Sequence, residues 1–299
     1  MTANNKKVNT GFFTNIYNSL PETIQGLLRH KLSVIGGIII FVFTFIAVFA
    51  PFITWHEVTK YVVADKFLSP LEKPTYILGT DYLGRDVWVR LAYGARISMI
   101  VGLFSVVIAF VIGVPLGLIA AHFGGWTDHA IMRFVDAKMA IPGLLLSMLF
   151  LLVLGGGIFT VSLALGFNLS SAQTRLIRSQ ALSVKGREYY DAAKAMGVSN
   201  IRLIMIHMMP NSIQPIIVQA SLGVGFAILG EASLSFLGLG VVPPTPTWGN
   251  MLSLAFQNMR TAPYLTFAPG IAIVLLVMAF SFIGDGLRDV LDPRLRGKI

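Results

Sequence analysis

The sequence predicts an all-α polytopic membrane protein with six transmembrane helices, and three observations carry that expectation. Hydrophobic residues make up 55% of the 299 positions and charged ones 12%, with a mean hydropathy of +0.74, more apolar surface than a soluble domain of this size can bury. Four charge-free windows, Leu32 to Trp55, Ile97 to Ala121, Ser212 to Gly230 and Thr261 to Gly284, supply the roughly 20 apolar residues that cross about 30 Å of hydrocarbon. Lysine and arginine, finally, concentrate in alternate connecting segments, as the positive-inside rule requires of a multi-pass chain.

The elements follow in order. Residues 1–31 form a tail expected in the cytoplasm, and the window at 32–55 has no small-residue cleavage site after it, so it reads as a retained anchor and not as a signal peptide. An extracytoplasmic segment, 56–95, leads into a five-helix core at 96–285. On the second span Gly113-x-x-x-Gly117, with Pro115 between, offers a face on which another helix can pack closely, or is simply tolerated in lipid. The window Met139 to Thr174 holds 36 uncharged residues, too many for one upright helix and suited to two short ones. Gly155-Gly156-Gly157 marks the break between them. A cytoplasmic loop at 175–211, the last span and a tail at 286–299 complete the chain.

Charge decides between one span and two in that window. With six spans and a cytoplasmic N-terminus, segments 1–31, 122–138, 175–211 and 285–299 carry 16 of the 23 basic residues. Five spans would export ten of those, against the positive-inside rule. The 54–96 segment has six basic and five acidic residues, but long loops cross with little regard to charge. The net charge of +9 is accounted for by anionic headgroups, and no nucleic-acid partner is expected.

The 175–211 loop is polar and rich in helix formers. A short helix is expected over Arg187 to Met196, with Glu188 and Asp191 near its N-terminus and Gly197 ending it in the left-handed conformation. Alanines 192, 193 and 195 leave a low-relief surface that can enter a groove. A second helix should start at Ser199 and place Ile201, Ile204, Met205 and Met208 on one apolar face, and Pro210 marks the approach to the next span. The loop either docks another protein or lies on the headgroups.

Glu231 sits inside an apolar window, where an ionised carboxylate costs a few kcal/mol unless paired or wetted. It is a candidate for cargo contact, or for a structural pair near the outer mouth or with a sister subunit. The run Asp81 to Arg96 mixes acids, arginines and the aromatics Tyr82, Trp88 and Tyr93, read as an interfacial belt or as an external lip. Pro243 to Trp248 is expected to form a stiff external turn with Trp248 at the membrane surface. With no cysteine and five scattered histidines, neither a disulfide framework nor a metal site is expected.

Three segments carry a resemblance. Asp191-Ala192-Ala193, then Gly197, then Pro210 resembles the "EAA, three residues, Gly, distant Pro" loop of ABC importer permeases, with Asp191 in place of the usual glutamate, and with His207 and Met209 where aliphatic residues are common. Leu78 to Asp86, continuing through Arg90, Gly94, Arg96 and Ser98, and Gly230 to Gly240 followed by Pro243 to Gly249, resemble the peptide and nickel branch of those permeases, specifically the second-permease type of oligopeptide and dipeptide importers. With Ala140-Ile141-Pro142, the likeness extends over about residues 33–299.

The resemblance implies the type I ABC importer permease fold and a division of labour. A second homologous permease shares the membrane path, two ATP-binding subunits grip the cytoplasmic loops, and an extracytoplasmic substrate-binding protein delivers di- or oligopeptides across the bacterial plasma membrane. The coupling residues would be Glu188, Asp191, Ala192, Ala193, Gly197 and Pro210; Glu231, Asp81, Arg85, Asp86 and Arg96 would belong to the path or a subunit interface. The chain has no G-x-x-x-x-G-K-[S/T] phosphate loop, so ATP and Mg are expected on the partner subunits, and neither a bound cofactor nor enzyme activity on this chain. Rival readings change the cargo to nickel, a metallophore or another peptide-like solute. A stand-alone secondary transporter or channel is disfavoured by the scarcity of titratable residues in the spans, and a non-transporting scaffold has no use for the glycine-punctuated loop.

Overall fold

The computed structural model describes residues 21–291; of the two expected tails, residues 1–20 and 292–299 lie outside the described residues. Apart from one isolated bridge between Thr80 and Asp86, the described residues form helices and turns. Helix α1 (Glu22–Arg29) passes through His30 into α2 (Lys31–Ile53), with the His30 ring accepting from Ser33 N at 3.3 Å. Large apolar residues such as Phe41 and Phe52 on α2 are exposed, as befits a helix solvated by lipid.

Helix α3 (Val87–Phe123) runs 37 residues, about 55 Å at 1.5 Å per residue. Asp86 caps its start by accepting from Trp88 N at 2.8 Å and Val89 N at 3.3 Å. Next come α4 (Gly125–Met139) and α5 (Gly143–Leu154), bent by 88° across Ala140-Ile141-Pro142. Proline disfavours helical backbone at the residue before it, which places the bend here. Gly155 and Gly157, with φ of 82° and 158°, then reverse the chain into α6 (Ile158–Lys185).

Helix α6 is too polar to pass as a lipid-facing span, and packing against α3 resolves that. Ser162, Ser170, Ser171, Gln173 and Thr174 are buried, and hydroxyls bond back to the helix, Thr174 Oγ1 donating to Ser170 O at 2.8 Å, so little polar surface meets hydrocarbon. Gly113 and Gly117 allow the approach. A Cβ on Gly113 would lie 2.7 Å from Gln173 Cβ and 2.8 Å from Ser170 O, and one on Gly117 would overlap Ile177 and Thr174. The glycine pair is thus a packing face.

After α7 (Glu188–Ala195) and a composite helix at 200–212, α8 (Gln214–Phe236), α9 (Trp248–Gln257), a 3₁₀ turn at Pro263–Thr266 and α10 (Phe267–Leu291) complete the fold. Four helices, α2, α3, α8 and the 3₁₀-α10 unit, are long and apolar enough to cross a membrane. α5 has 12 residues, about 18 Å. The reversal at Gly155-Gly156-Gly157 abuts Gly240 and Val242 beyond the end of α8, whereas the far end of α6 meets the end of α3 through Lys185. α5 and α6 are therefore antiparallel legs, compatible with six crossings. Residues 22–30, 122–138, 185–212 and 285–291 gather at one end, where His30 lies 3.6 Å from Asp289; the 54–86 loop, α9 and the 3₁₀ turn gather at the other, where Tyr264 OH of that turn donates to Leu68 O at 2.9 Å.

Candidate functional site

Helix α7 is held at its end of the bundle by contacts the surrounding sequence supplies. Lys185 donates to the carbonyls of Ala121 at 3.0 Å and His122 at 2.7 Å, satisfying the free C-terminal carbonyls of α3. Tyr190, 2% exposed, meets the His122 ring at 2.7 Å, and burial pushes its phenol up. Ala193, Leu203, Met208, Ile177 and Ile216 complete the apolar cluster beneath.

Gly197 ends α7 as the sequence predicts. Its φ is +78°, Val198 N donates to Ala193 O at 3.3 Å and Gly197 N to Lys194 O at 3.0 Å, the Schellman pattern of a left-handed C′ residue. A Cβ there would meet nothing within 4 Å, so the demand for glycine comes from the backbone alone. Of the expected coupling residues, Glu188, Asp191, Ala192 and Gly197 are exposed, as are Ala195 and Met196. Ala193 is buried against its own chain and offers no outward surface. Pro210 is the second residue of a one-turn helix, Met209–Ser212, four positions before α8 opens at Gln214.

The second helix departs from the expected pattern. Ser199 occupies the N-cap but makes no side-chain cap bond, and the chain is α-helical only over Asn200–Arg202 before turning π-helical over Leu203–Met208. Wider turns place residues five apart on one face, so Leu203 and Met208 are buried together, while Ile201 is 75% exposed and Met205 53%. The proposed face of Ile201, Ile204, Met205 and Met208 does not form. Instead Ile201, Ile204 and Met205 border an apolar hollow of about 430 Å³ against Phe110, Pro115 and Leu118 of α3.

The outer candidates are engaged within their own loop. Asp81 accepts from Leu83 N at 2.9 Å, Arg85 N at 3.0 Å and Arg85 Nε at 2.7 Å, with Arg90 Nε at 3.8 Å. Asp86 is the α3 cap and also faces His56 Nδ1 at 2.8 Å. Asp81 and Asp86 are buried and the Arg85 side chain nearly so, so these three brace the loop and do not form an open lip. Arg96 alone of the set is exposed.

Glu231 also proves internal. It is fully buried within this chain, with Ser98 Oγ at 3.2 Å and Ser235 Oγ at 2.7 Å from its carboxyl oxygens. In this structure it borders neither an exposed surface nor an open cavity, and its hydroxyl partners lie within this chain, as a structural pair would have them. Trp248, expected at the membrane surface, is 0% exposed; it fills the space over Gly94, donates to Leu91 O at 3.0 Å and packs edge-on against Phe43. Small residues along α3 and α8 made room that hydropathy does not reveal.

Sequence reasoning missed the anchors. Arg178 makes two 2.5 Å hydrogen bonds to Asp128, tying α4 to α6, and holds that carboxyl below the usual carboxylate range. Lys138 is buried with its ammonium 2.7 Å from Ser170 Oγ and 4.1 Å from the Phe167 ring centroid. Its position at the edge of the longest charge-free window was the one available signal.

The comparisons with known proteins are specific. The family described as "Binding-protein-dependent transport system inner membrane component" matches residues 113–297, and "N-terminal TM domain of oligopeptide transport permease C" matches residues 22–70. The chain is similar to a dipeptide transport system permease protein of Alkalihalophilus pseudofirmus, 42% identical over 92% of this chain and 90% of that protein. It is likewise similar to a di/tripeptide permease of Pseudomonas aeruginosa, 39% identical over 94% of each, and to a glutathione permease of Pectobacterium atrosepticum, 38% identical over 92% and 91%. Among solved structures, an inward-facing MetNI methionine ABC transporter aligns with a TM-score of 0.55 at 18% identity, covering 68% of this chain and 97% of that one, a likeness of fold. The chain belongs to the family of binding-protein-dependent transport system inner membrane components and is a multi-pass permease of the ABC importer type.

Proposed function

We propose that this permease is one of two nonidentical membrane subunits of a bacterial importer for di- or oligopeptides. The observation that carries the cargo is its identity, across nearly its whole length, to permeases named for dipeptides and di/tripeptides. The glutathione permease relative supports a second reading, a peptide-like solute such as a modified tripeptide. ATP and Mg reside on two separate ATPase subunits, an extracytoplasmic binding protein delivers the solute, and the chain lies in the plasma membrane with both ends in the cytoplasm.

In this reading the exposed rim of α7, formed by Glu188, Asp191, Ala192, Ala195 and Met196, enters a groove on an ATPase subunit. The anchors at Tyr190, Ala193 and Lys185 make α7 a rigid extension of α3 and α6, so that closure of the ATPases rocks those helices as a body. The test is recovery of the detergent-solubilised assembly from its native cells, comparing wild type with a chain carrying both Asp191→Arg and Gly197→Arg. Wild type should bring ATPases and a second permease, and the variant should lose the ATPases alone. ATPases retained by the variant would remove the docking role; their absence from wild type would remove the assembly.

A further inference from the structure

A cavity of about 20 Å³ lies at the outer end of the bundle, between the 54–86 loop, the first turn of α3, α9 and the 3₁₀ turn. Val87, Leu254, Ala255 and Leu265 give it apolar walls, and Asp81 and Arg90 supply its polar edge. Arg90 is 4% exposed, and its Nη1 is buried without a hydrogen-bond partner among the described residues. The room suffices for one water-sized particle and is too small for a phosphate, a carboxylate side chain or a peptide.

The charges around it do not balance. Arg85 Nε lies 2.7 Å and Arg90 Nε 3.8 Å from the same oxygen, Asp81 Oδ2, while Asp81 Oδ1 accepts from the amides of Leu83 and Arg85. Asp86, the other acid of this loop end, is engaged by the first amides of α3 and by His56, and neither guanidinium forms an ion pair with any further carboxylate among the described residues. Two guanidiniums thus share one carboxylate, and Arg85 Nη2 is also buried without a partner. A buried cation short of counter-charge is costly. One water would satisfy a donor but supply no charge. A halide ion does both: it carries a single negative charge, accepts N–H bonds from any direction, and tolerates the apolar walls that an oxyanion, with several acceptor oxygens to satisfy, does not.

We infer that this cavity is a binding site for one halide ion, chloride under ordinary conditions, held by Arg90 in the field of Arg85 and fastening the outer loop to α9. The site is independent of the cargo. The full chain, purified with its accompanying subunits in lipid nanodiscs, is exchanged into deuterated buffer containing sodium chloride, bromide, gluconate or sulfate at one ionic strength. Deuterium uptake is then read by mass spectrometry in peptides covering 81–90 and 248–257. Chloride and bromide should slow exchange there saturably, by about tenfold at ten times the dissociation constant, relative to gluconate and sulfate, with no difference in peptides of α2. Ala255→Leu, which fills the cavity and leaves all three charges in place, should lose the halide dependence, and Arg90→Met should lose it as well. Equal exchange of wild type in chloride and gluconate would assign the cavity to water and overturn the inference. Protection by sulfate equal to that by chloride would assign the effect to screening, and halide protection surviving in Ala255→Leu would place the ion elsewhere; either result overturns it too. The wild-type comparison decides the matter whether or not Arg90→Met folds.

Discussion

Glu231 shows what one residue does when its neighbours differ from those expected. A carboxyl in an apolar window suggests work on cargo, yet the hydroxyls of Ser98, Ser235 and Thr247 enclose it, and among the described residues it makes no salt bridge. Its role is to join α3 to α8 where Trp248 and Gly94 meet. Glu231→Ala should therefore lower stability by about 2–3 kcal/mol, since the buried hydroxyls around it lose their partner and a void opens. Glu231→Gln, which keeps an acceptor, should cost less than half of that and leave uptake intact. Thermal unfolding of the purified assembly reads both; equal midpoints for Ala and wild type would show that the carboxyl holds nothing. The serines sit 133 and 4 positions away in sequence, and only the nearer one was visible to a reading along the chain.

At the scale of elements, the contact of α3 with α6 carries the most consequence, because α6 links the bundle to α7. Gly117→Leu should separate the two helices and cost about 1–3 kcal/mol or more, as overpacking of a close contact does, while Gly125→Leu, where a Cβ meets nothing within 4 Å, should not repeat that packing loss even though its positive φ adds strain. Denaturation in mixed micelles separates the two. The Asp128–Arg178 pair makes a pH prediction of definite sign. Hydrogen bonding to Arg178 depresses the folded-state pKa of Asp128, so its contribution is present above the unfolded carboxylate pKa of about 3.9 and is lost as pH falls through the still lower folded value. Asp128→Asn should thus be less stable than wild type at pH 7, and the two should converge below about pH 4; a gap that persisted at low pH would assign the difference to something other than the charge. Partial exposure of the pair to solvent keeps the expected effect modest.

For the whole molecule, the grouping of 122–138, 185–212 and 285–291 at one end agrees with the alternation of basic residues. Single cysteines make this testable in a chain that has none. Lys66→Cys should react with a membrane-impermeant maleimide in intact cells, and Lys194→Cys only after permeabilisation. Five crossings would place Lys194 outside and make it react at once, so one experiment decides between the counts.

Composition, charge alternation and the glycine signals by themselves determined that this is a helical membrane protein, where its chain reverses at Gly155 to Gly157, and where α7 stops. Those properties depend on local chemistry: transfer of each side chain to lipid, and the backbone freedom of single residues. The spaced motifs likewise carried the family. Tertiary structure alone decided which polar residues are available. Asp81, Asp86, Ala193, Glu231 and Trp248 all look outward-facing or functional in one dimension and are buried once α3, α6, α8 and α9 pack, because burial depends on partners far away in sequence. The π-helical turn at Leu203–Met208 escaped for the same reason: its register answers to the cluster around Tyr190 and Ile177, not to the periodicity of its own six residues.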